Sequence, residues 1–117
     1  TDWAAIAELY EDLRQLNPTP VVALNRAAAL LYARGPAAAQ TALDEVRAAQ
    51  SLRDYHLLPA VQAAIHERQG AKDAARRCYE QARKLARLAP ERRWLSRRLM
   101  PLANAAKNQL KHAPDQT

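Results

Sequence analysis

The chain has 117 residues and a formal net charge of +6, a length that fits one domain and is too short for two well-formed ones. Its single cysteine, Cys78, excludes an intramolecular disulfide and suits a reducing cytoplasm. No signal peptide and no apolar run of roughly 18 residues is present, so we expect a soluble cytoplasmic protein, and the start at Thr1 leads us to expect part of a longer one.

Composition favours helix over strand throughout the chain. Alanine is very frequent, glycine occurs twice and phenylalanine is missing, and alanine loses no side-chain entropy in a helix. Charge is divided along the sequence: residues 1–67 sum to −3 and residues 68–117 to +9. The basic half is either a solvated polar face or a surface that follows phosphates.

Helix start and stop signals recur along the whole chain. Asp2 can cap a first helix, and Thr19 can cap a second helix that has Pro20 at its first position. Gly35 and Gly70 are typical of helix C-termini. The pattern predicts six helices, over residues 2–16, 20–34, 36–49, 54–69, 71–88 and 91–100, and a polar tail over residues 103–117.

The two glycines also indicate a repeat, because they lie 35 residues apart at similar helix junctions. After Gly70, the residues Ala75, Tyr79 and Ala82 fall where a tetratricopeptide repeat has a small, an aromatic and a second small residue. Residues 1–102 therefore resemble an all-α, tetratricopeptide-like right-handed superhelix of antiparallel helix pairs. An irregular alanine-rich bundle is the alternative.

No pattern of reactive side chains predicts catalysis. The three histidines, His56, His66 and His112, lack metal-binding spacing, and Cys78 lies on the apolar face of a helix. No glycine-rich loop could hold a phosphate. We therefore expect no enzymatic activity, no metal and no cofactor, and we expect the chain to act by contacting another protein.

The first helix of each pair lines the concave face of such a stack, and the candidate contacts come from there and from the last helix. Asn25 and Arg26 interrupt an otherwise apolar run over residues 21–31. Asn25 can bind a partner or can hydrogen-bond neighbouring backbone. The full candidate set is Asn25, Arg26, Tyr32, Tyr55, His56, Arg68 and Trp94.

Three strings carry a more specific resemblance. They are Pro20-Val-Val-Ala-Leu-Asn-Arg-Ala27, Tyr55-His-Leu-Leu58 and Glu91-Arg-Arg-Trp-Leu-Ser-Arg-Arg-Leu99. Over residues 3–102 the chain resembles the C-terminal extension of a group of bacterial extracytoplasmic-function sigma factors of the sigma-70 family. Pro59 departs from that pattern and predicts a later start or a kink in the fourth helix.

The resemblance implies a regulatory role in transcription initiation. The sigma regions that precede such an extension bind core RNA polymerase and promoter DNA, and the extension modulates them by contacting those regions or the polymerase. Two alternatives stay open: a free-standing adaptor that binds peptides in the concave groove, and direct binding of nucleic acid by the basic half.

Overall fold

The protein is all-α. The computed structural model describes the backbone of residues 1–112 and the side chains of residues 1–104. Within that part of the chain there are six α-helices and no strand: α1 Trp3–Leu16, α2 Pro20–Arg34, α3 Pro36–Val46, α4 Leu57–Arg68, α5 Lys72–Leu85 and α6 Ala89–His112. A short 3-10 helix, Gln50–Leu52, lies between α3 and α4.

The predicted caps begin α1 and α2. The Asp2 carboxylate accepts a hydrogen bond from the backbone N–H of Ala5 at 3.0 Å, and the Thr19 hydroxyl oxygen accepts one from the N–H of Val22 at 3.3 Å. Pro20 takes the first position of α2, where no N–H is needed. These local signals fix where the two helices begin.

Both glycines end helices with a positive φ, as their positions in the sequence predict. Gly35 has φ 98° and Gly70 has φ 78°. After α4, the N–H of Ala71 donates to the carbonyl of His66 at 2.9 Å and the N–H of Gly70 to that of Glu67 at 3.1 Å. This pair of bonds is the Schellman arrangement, which satisfies the last carbonyls of the helix.

The link between α3 and α4 is longer than predicted. Helix α3 ends at Val46 rather than near residue 49, and α4 begins at Leu57 rather than near residue 54. The intervening 3-10 helix is held by Leu52, whose side chain is fully buried. Pro59 is the third residue of α4, where its missing N–H breaks no bond of the helix, so the later start that it predicts is observed.

Helix α5 ends at Leu85 rather than near residue 88, and α6 is longer than predicted. The sequence places the end of α6 near residue 100 and a polar tail after it, whereas the helix passes through Pro101 to His112. Leu95, Leu99 and Leu102 are buried on either side of the proline, and this packing outweighs the lost hydrogen bond. Residues 113–117 of the predicted tail lie outside the described residues.

Two buried clusters hold the helices together. The first joins α1, α2, α3 and α4 and contains Leu24, Leu43 and Ile65. The second joins α4, α5 and α6 around Tyr79 and Leu95. Because α4 contributes to both clusters, the helices form one continuous elongated body with principal extents of 59 × 29 × 27 Å. In the described residues, no helix is long and apolar enough to cross a membrane.

The outer face of α1 is apolar and exposed. Leu9, Leu13 and Leu16 are 57%, 38% and 83% exposed, although their spacing places them on one side of the helix. By contrast, α5 packs against both α4 and α6 and buries Tyr79 and Ala82 completely. Helix α1 packs mainly against α2, so one side of it has no neighbour among the described residues.

Candidate partner-binding site

An apolar groove runs between α2 and α4 and is bordered by α1 and α6. Its floor is formed by the side chains of Ala28, Leu31, Leu57, Ala60, Val61 and Ala64. Its walls are the rings of Trp3, Tyr32 and Trp94. The groove has a volume of 270 Å³, which is below the range of about 300–1,000 Å³ for pockets that enclose small molecules.

The aromatic walls stand partly in solvent. Trp3 and Tyr32 are each 37% exposed and Trp94 is 46% exposed. The rings of Trp3 and Tyr32 stack with centroids 4.7 Å apart and planes at 28°. Exposed aromatic residues beside an apolar floor are typical of surfaces that bind protein partners, because they bury a large area at a small cost in side-chain entropy.

Arginines lie over the aromatic rings on both walls. The guanidinium carbon of Arg68 is 4.9 Å from the centroid of the Tyr32 ring, and that of Arg98 is 5.1 Å from the centroid of the Trp94 ring. Each contact is a cation–π interaction, which holds the guanidinium group in a fixed position. The groove is therefore apolar inside and positively charged at its rim.

A partly buried hydrogen bond lies beneath the rim. The hydroxyl of Tyr79, a fully buried residue, donates to the Glu67 carboxylate at 2.9 Å. Burial raises the pKa of Tyr79 well above its ordinary value, and the hydrogen bond to Glu67 adds to this effect. Glu67 borders a cleft beside the groove together with Tyr32, Arg68 and Arg98, so the bond links the core of α5 to this surface.

Tyr55 and His56 lie in a different place, just before α4. The two rings meet edge to face with centroids 5.2 Å apart, and His56 Nε2 is 3.5 Å from Glu91 Oε2. Glu91 also accepts a hydrogen bond from the backbone N–H of Leu88 at 3.2 Å. This contact ties the link before α4 to the first turn of α6. Beside it is an open cleft of 540 Å³ that polar and apolar side chains line together.

Asn25 and Arg26 do not line the apolar groove. The Asn25 amide donates to the carbonyl of Val21 in its own helix at 3.0 Å. Arg26 Nε lies 2.7 Å from Glu11 Oε2 and thereby ties α2 to α1. A hydrogen bond from Arg14, with the charge of Arg26 contributing, lowers the pKa of Glu11. The predicted role of Asn25 and Arg26 in partner binding stays a prediction.

Of the candidates from the sequence, three come together at the groove: Tyr32, Arg68 and Trp94. Two residues of this surface, Trp3 and Arg98, are missing from the predicted set. The spacing of Trp3 with the apolar residues of α1 favours the core side of that helix, and Arg98 is one of four arginines between residues 91 and 99. Only the relative placement of α1, α2 and α6 distinguishes them.

Cys78 is half-buried, and burial raises the pKa of its thiol, so the thiolate needed for nucleophilic attack is disfavoured. Over the part of the chain that the structure describes, no three His, Cys, Asp or Glu side chains lie close enough together to hold a metal ion.

Comparison with known proteins gives one informative similarity. The chain is 33% identical over 103 residues to an uncharacterized protein of Rhizobium meliloti (strain 1021), and this match covers 88% of the chain. It covers 24% of that relative, so the chain spans about a quarter of the relative's length. No protein-family profile and no solved structure matches the chain.

Proposed function

We propose that the chain is a regulatory protein-interaction domain of an extracytoplasmic-function sigma factor. It modulates transcription initiation by contacting the sigma regions of its own protein, or core RNA polymerase, and those sigma regions supply the contacts with promoter DNA. The domain carries out no reaction, uses no cofactor or metal, and acts in the cytoplasm. The observation that carries the interaction role is the apolar groove with its aromatic walls and arginine rim.

Two observations from the sequence and its relative support the transcriptional part. The strings over residues 20–27, 55–58 and 91–99 resemble the extension of these sigma factors. The relative from Rhizobium meliloti extends far beyond the matched segment, in keeping with a domain that is joined to further regions. We also propose that the helix pairs stack as tetratricopeptide repeats do, since α2–α3 and α4–α5 are joined pairs of similar size with a positive-φ glycine at each junction.

Binding to the sigma regions tests the proposal directly. The purified chain is titrated with the sigma regions of the same protein, and binding is followed by calorimetry. We expect Trp94→Ala to weaken binding by roughly tenfold or more, because exposed tryptophans at apolar grooves are frequent hot spots. Met100→Ala is the matched control, since Met100 is on the same helix, is 65% exposed and does not line the groove.

A promoter-driven reporter then measures the regulatory effect in the full-length protein. Trp94→Ala should change the output and Met100→Ala should not, with both proteins folded and present at equal levels. Equal output from all three proteins would refute the regulatory role. If the domain binds neither the sigma regions nor the polymerase but binds unrelated peptides in this groove, it is instead a free-standing adaptor.

A further inference from the structure

The floor of the groove has room for bulky side chains of a partner. Three of its residues are alanines: Ala28 on α2, and Ala60 and Ala64 on α4. Alanines four residues apart on one helix leave a depression along its surface into which the ridge of another helix fits. The three alanines and the volume of 270 Å³ leave room for large apolar side chains.

Arg68 and Arg98 give the rim two positive charges, and the carboxylate of Glu67 beside them leaves a net positive charge. Among the described residues, neither Arg68 nor Arg98 forms an ion pair with a carboxylate, and the Nε atom of Arg98 is buried without a hydrogen-bond partner. The nearby carboxylate of Glu67 accepts a hydrogen bond from the Tyr79 hydroxyl and, within this part of the chain, forms no ion pair with either arginine. The aromatic rings beneath both guanidinium groups hold them in place, so little further ordering is needed when a carboxylate arrives.

We propose that the occupant of the groove is an acidic amphipathic α-helix. Its apolar face places bulky residues such as leucine on the alanine floor between Tyr32 and Trp94, and its flanking aspartates or glutamates pair with Arg68 and Arg98. A helix lying in a groove is a common mode of peptide recognition, and it requires no exposed sheet edge in the receptor. This inference rests on the proposed function only for the assumption that the groove is the interaction site.

Synthetic helical peptides test the chemistry of the occupant. Three peptides, each about four turns long, share one leucine-rich face. The first has glutamate on its polar face, the second has lysine there, and the third is the glutamate peptide with a central proline that breaks the helix. Fluorescence anisotropy with the whole 117-residue chain measures their affinities.

We expect the glutamate peptide to bind at least about tenfold more tightly than the lysine peptide, because the charge at the rim attracts one and repels the other. The proline should weaken binding by a similar factor. Added salt should weaken binding of the glutamate peptide, since the ion pairs at a surface rim are screened.

Variants of the domain locate the contact. Arg68→Gln and Arg98→Gln should each lower affinity for the glutamate peptide by about threefold, a factor typical of partly exposed ion pairs. The control is Arg93→Gln, which removes the same charge from an exposed position on α6 that does not line the groove. It should leave the affinity nearly unchanged.

Equal affinity for the glutamate and lysine peptides, or equal loss from all three arginine variants, would overturn the acidic part of the inference. Tight binding of the proline peptide would overturn the helical part. A dimer of the chain in sedimentation that Trp94→Ala dissociates would show that a second copy fills the groove, and the inference would also be wrong. If no peptide binds but the sigma regions bind in a manner that depends on Trp94, the proposed function stands and only the acidic helix is refuted as the occupant.

Discussion

Removing the Tyr79 hydroxyl gives a test in which the sign of the effect changes with pH. In Tyr79→Phe the ring remains in the core and the hydrogen bond to Glu67 is lost. Glu67 lies at the surface, so its carboxylate is rehydrated. The loss at pH 7 is therefore at the lower end of the range for hydrogen bonds to charged groups, about 1.5 kcal/mol.

The pKa of Tyr79 is raised in the folded protein. The contribution of the hydroxyl to stability is thus complete below the unfolded pKa of about 10 and is lost as the pH rises above that value, by up to about 1.4 kcal/mol per pH unit. Roughly one unit above pH 10, this loss of stability equals the contribution of the hydrogen bond, which is about 1.5 kcal/mol. The parent should therefore be more stable than Tyr79→Phe at pH 7, and the order should reverse near pH 11.

Urea unfolding followed by circular dichroism, at steps between pH 7 and pH 11, measures both curves. The control Tyr10→Phe removes the hydroxyl of a half-buried tyrosine that donates no side-chain hydrogen bond among the described residues, and it should follow the parent. A constant difference between Tyr79→Phe and the parent over the whole pH range would refute the reasoning, because it would mean that the buried hydroxyl does not titrate differently in the two states.

Three further predictions concern the glycines, the core and the thiol. A Cβ atom added at either glycine would meet no neighbouring atom, so Gly70→Ala should lower the unfolding free energy by about 1 kcal/mol through backbone strain alone. Gly35→Ala should cost more, about 2 kcal/mol, because φ 98° with ψ 179° is almost restricted to glycine. Equal urea midpoints for the two variants would contradict this order. Leu52→Ala should cost about 3 kcal/mol as a buried truncation, whereas Leu16→Ala, at 83% exposure, should change the unfolding free energy by less than about 0.5 kcal/mol. The thiol of Cys78 should react with a disulfide reagent at pH 7 roughly tenfold more slowly in the folded protein than in urea, and equal rates would show that its burial is not maintained in solution.

The helix boundaries show which signals act locally. Asp2, Thr19, Gly35 and Gly70 could be placed from the sequence because a cap or a positive-φ glycine acts within about one helical turn. The link between α3 and α4 could not, since it depends on the burial of Leu52 against residues that are distant in the sequence. Continuation of α6 beyond Pro101 similarly depends on packing against the preceding helices.

The residues of the candidate site also differ in whether the sequence alone could place them. Tyr32 could be placed from its position in the predicted repeat, in which the first helix of each pair lines one face. Trp3 has the spacing of a core residue, and its place beside Tyr32 follows from where α1 packs on α2. Arg97 and Arg98 follow Trp94 by three and four residues, so either could lie beside its ring. Only the structure shows that Arg98 does so and that it borders the groove.

The two ends of the domain differ in the side chains that they expose. At one end α1 presents the leucines at positions 9, 13 and 16 to solvent, and at the other α6 carries exposed arginines at positions 92, 93 and 97. Helical arrays remain soluble when the terminal faces are polar, and the three exposed leucines of α1 depart from that condition. Lysine or glutamate at the three leucine positions would make the α1 end polar without altering the groove. In such a protein, binding at the groove could be measured without association between the α1 ends of two molecules.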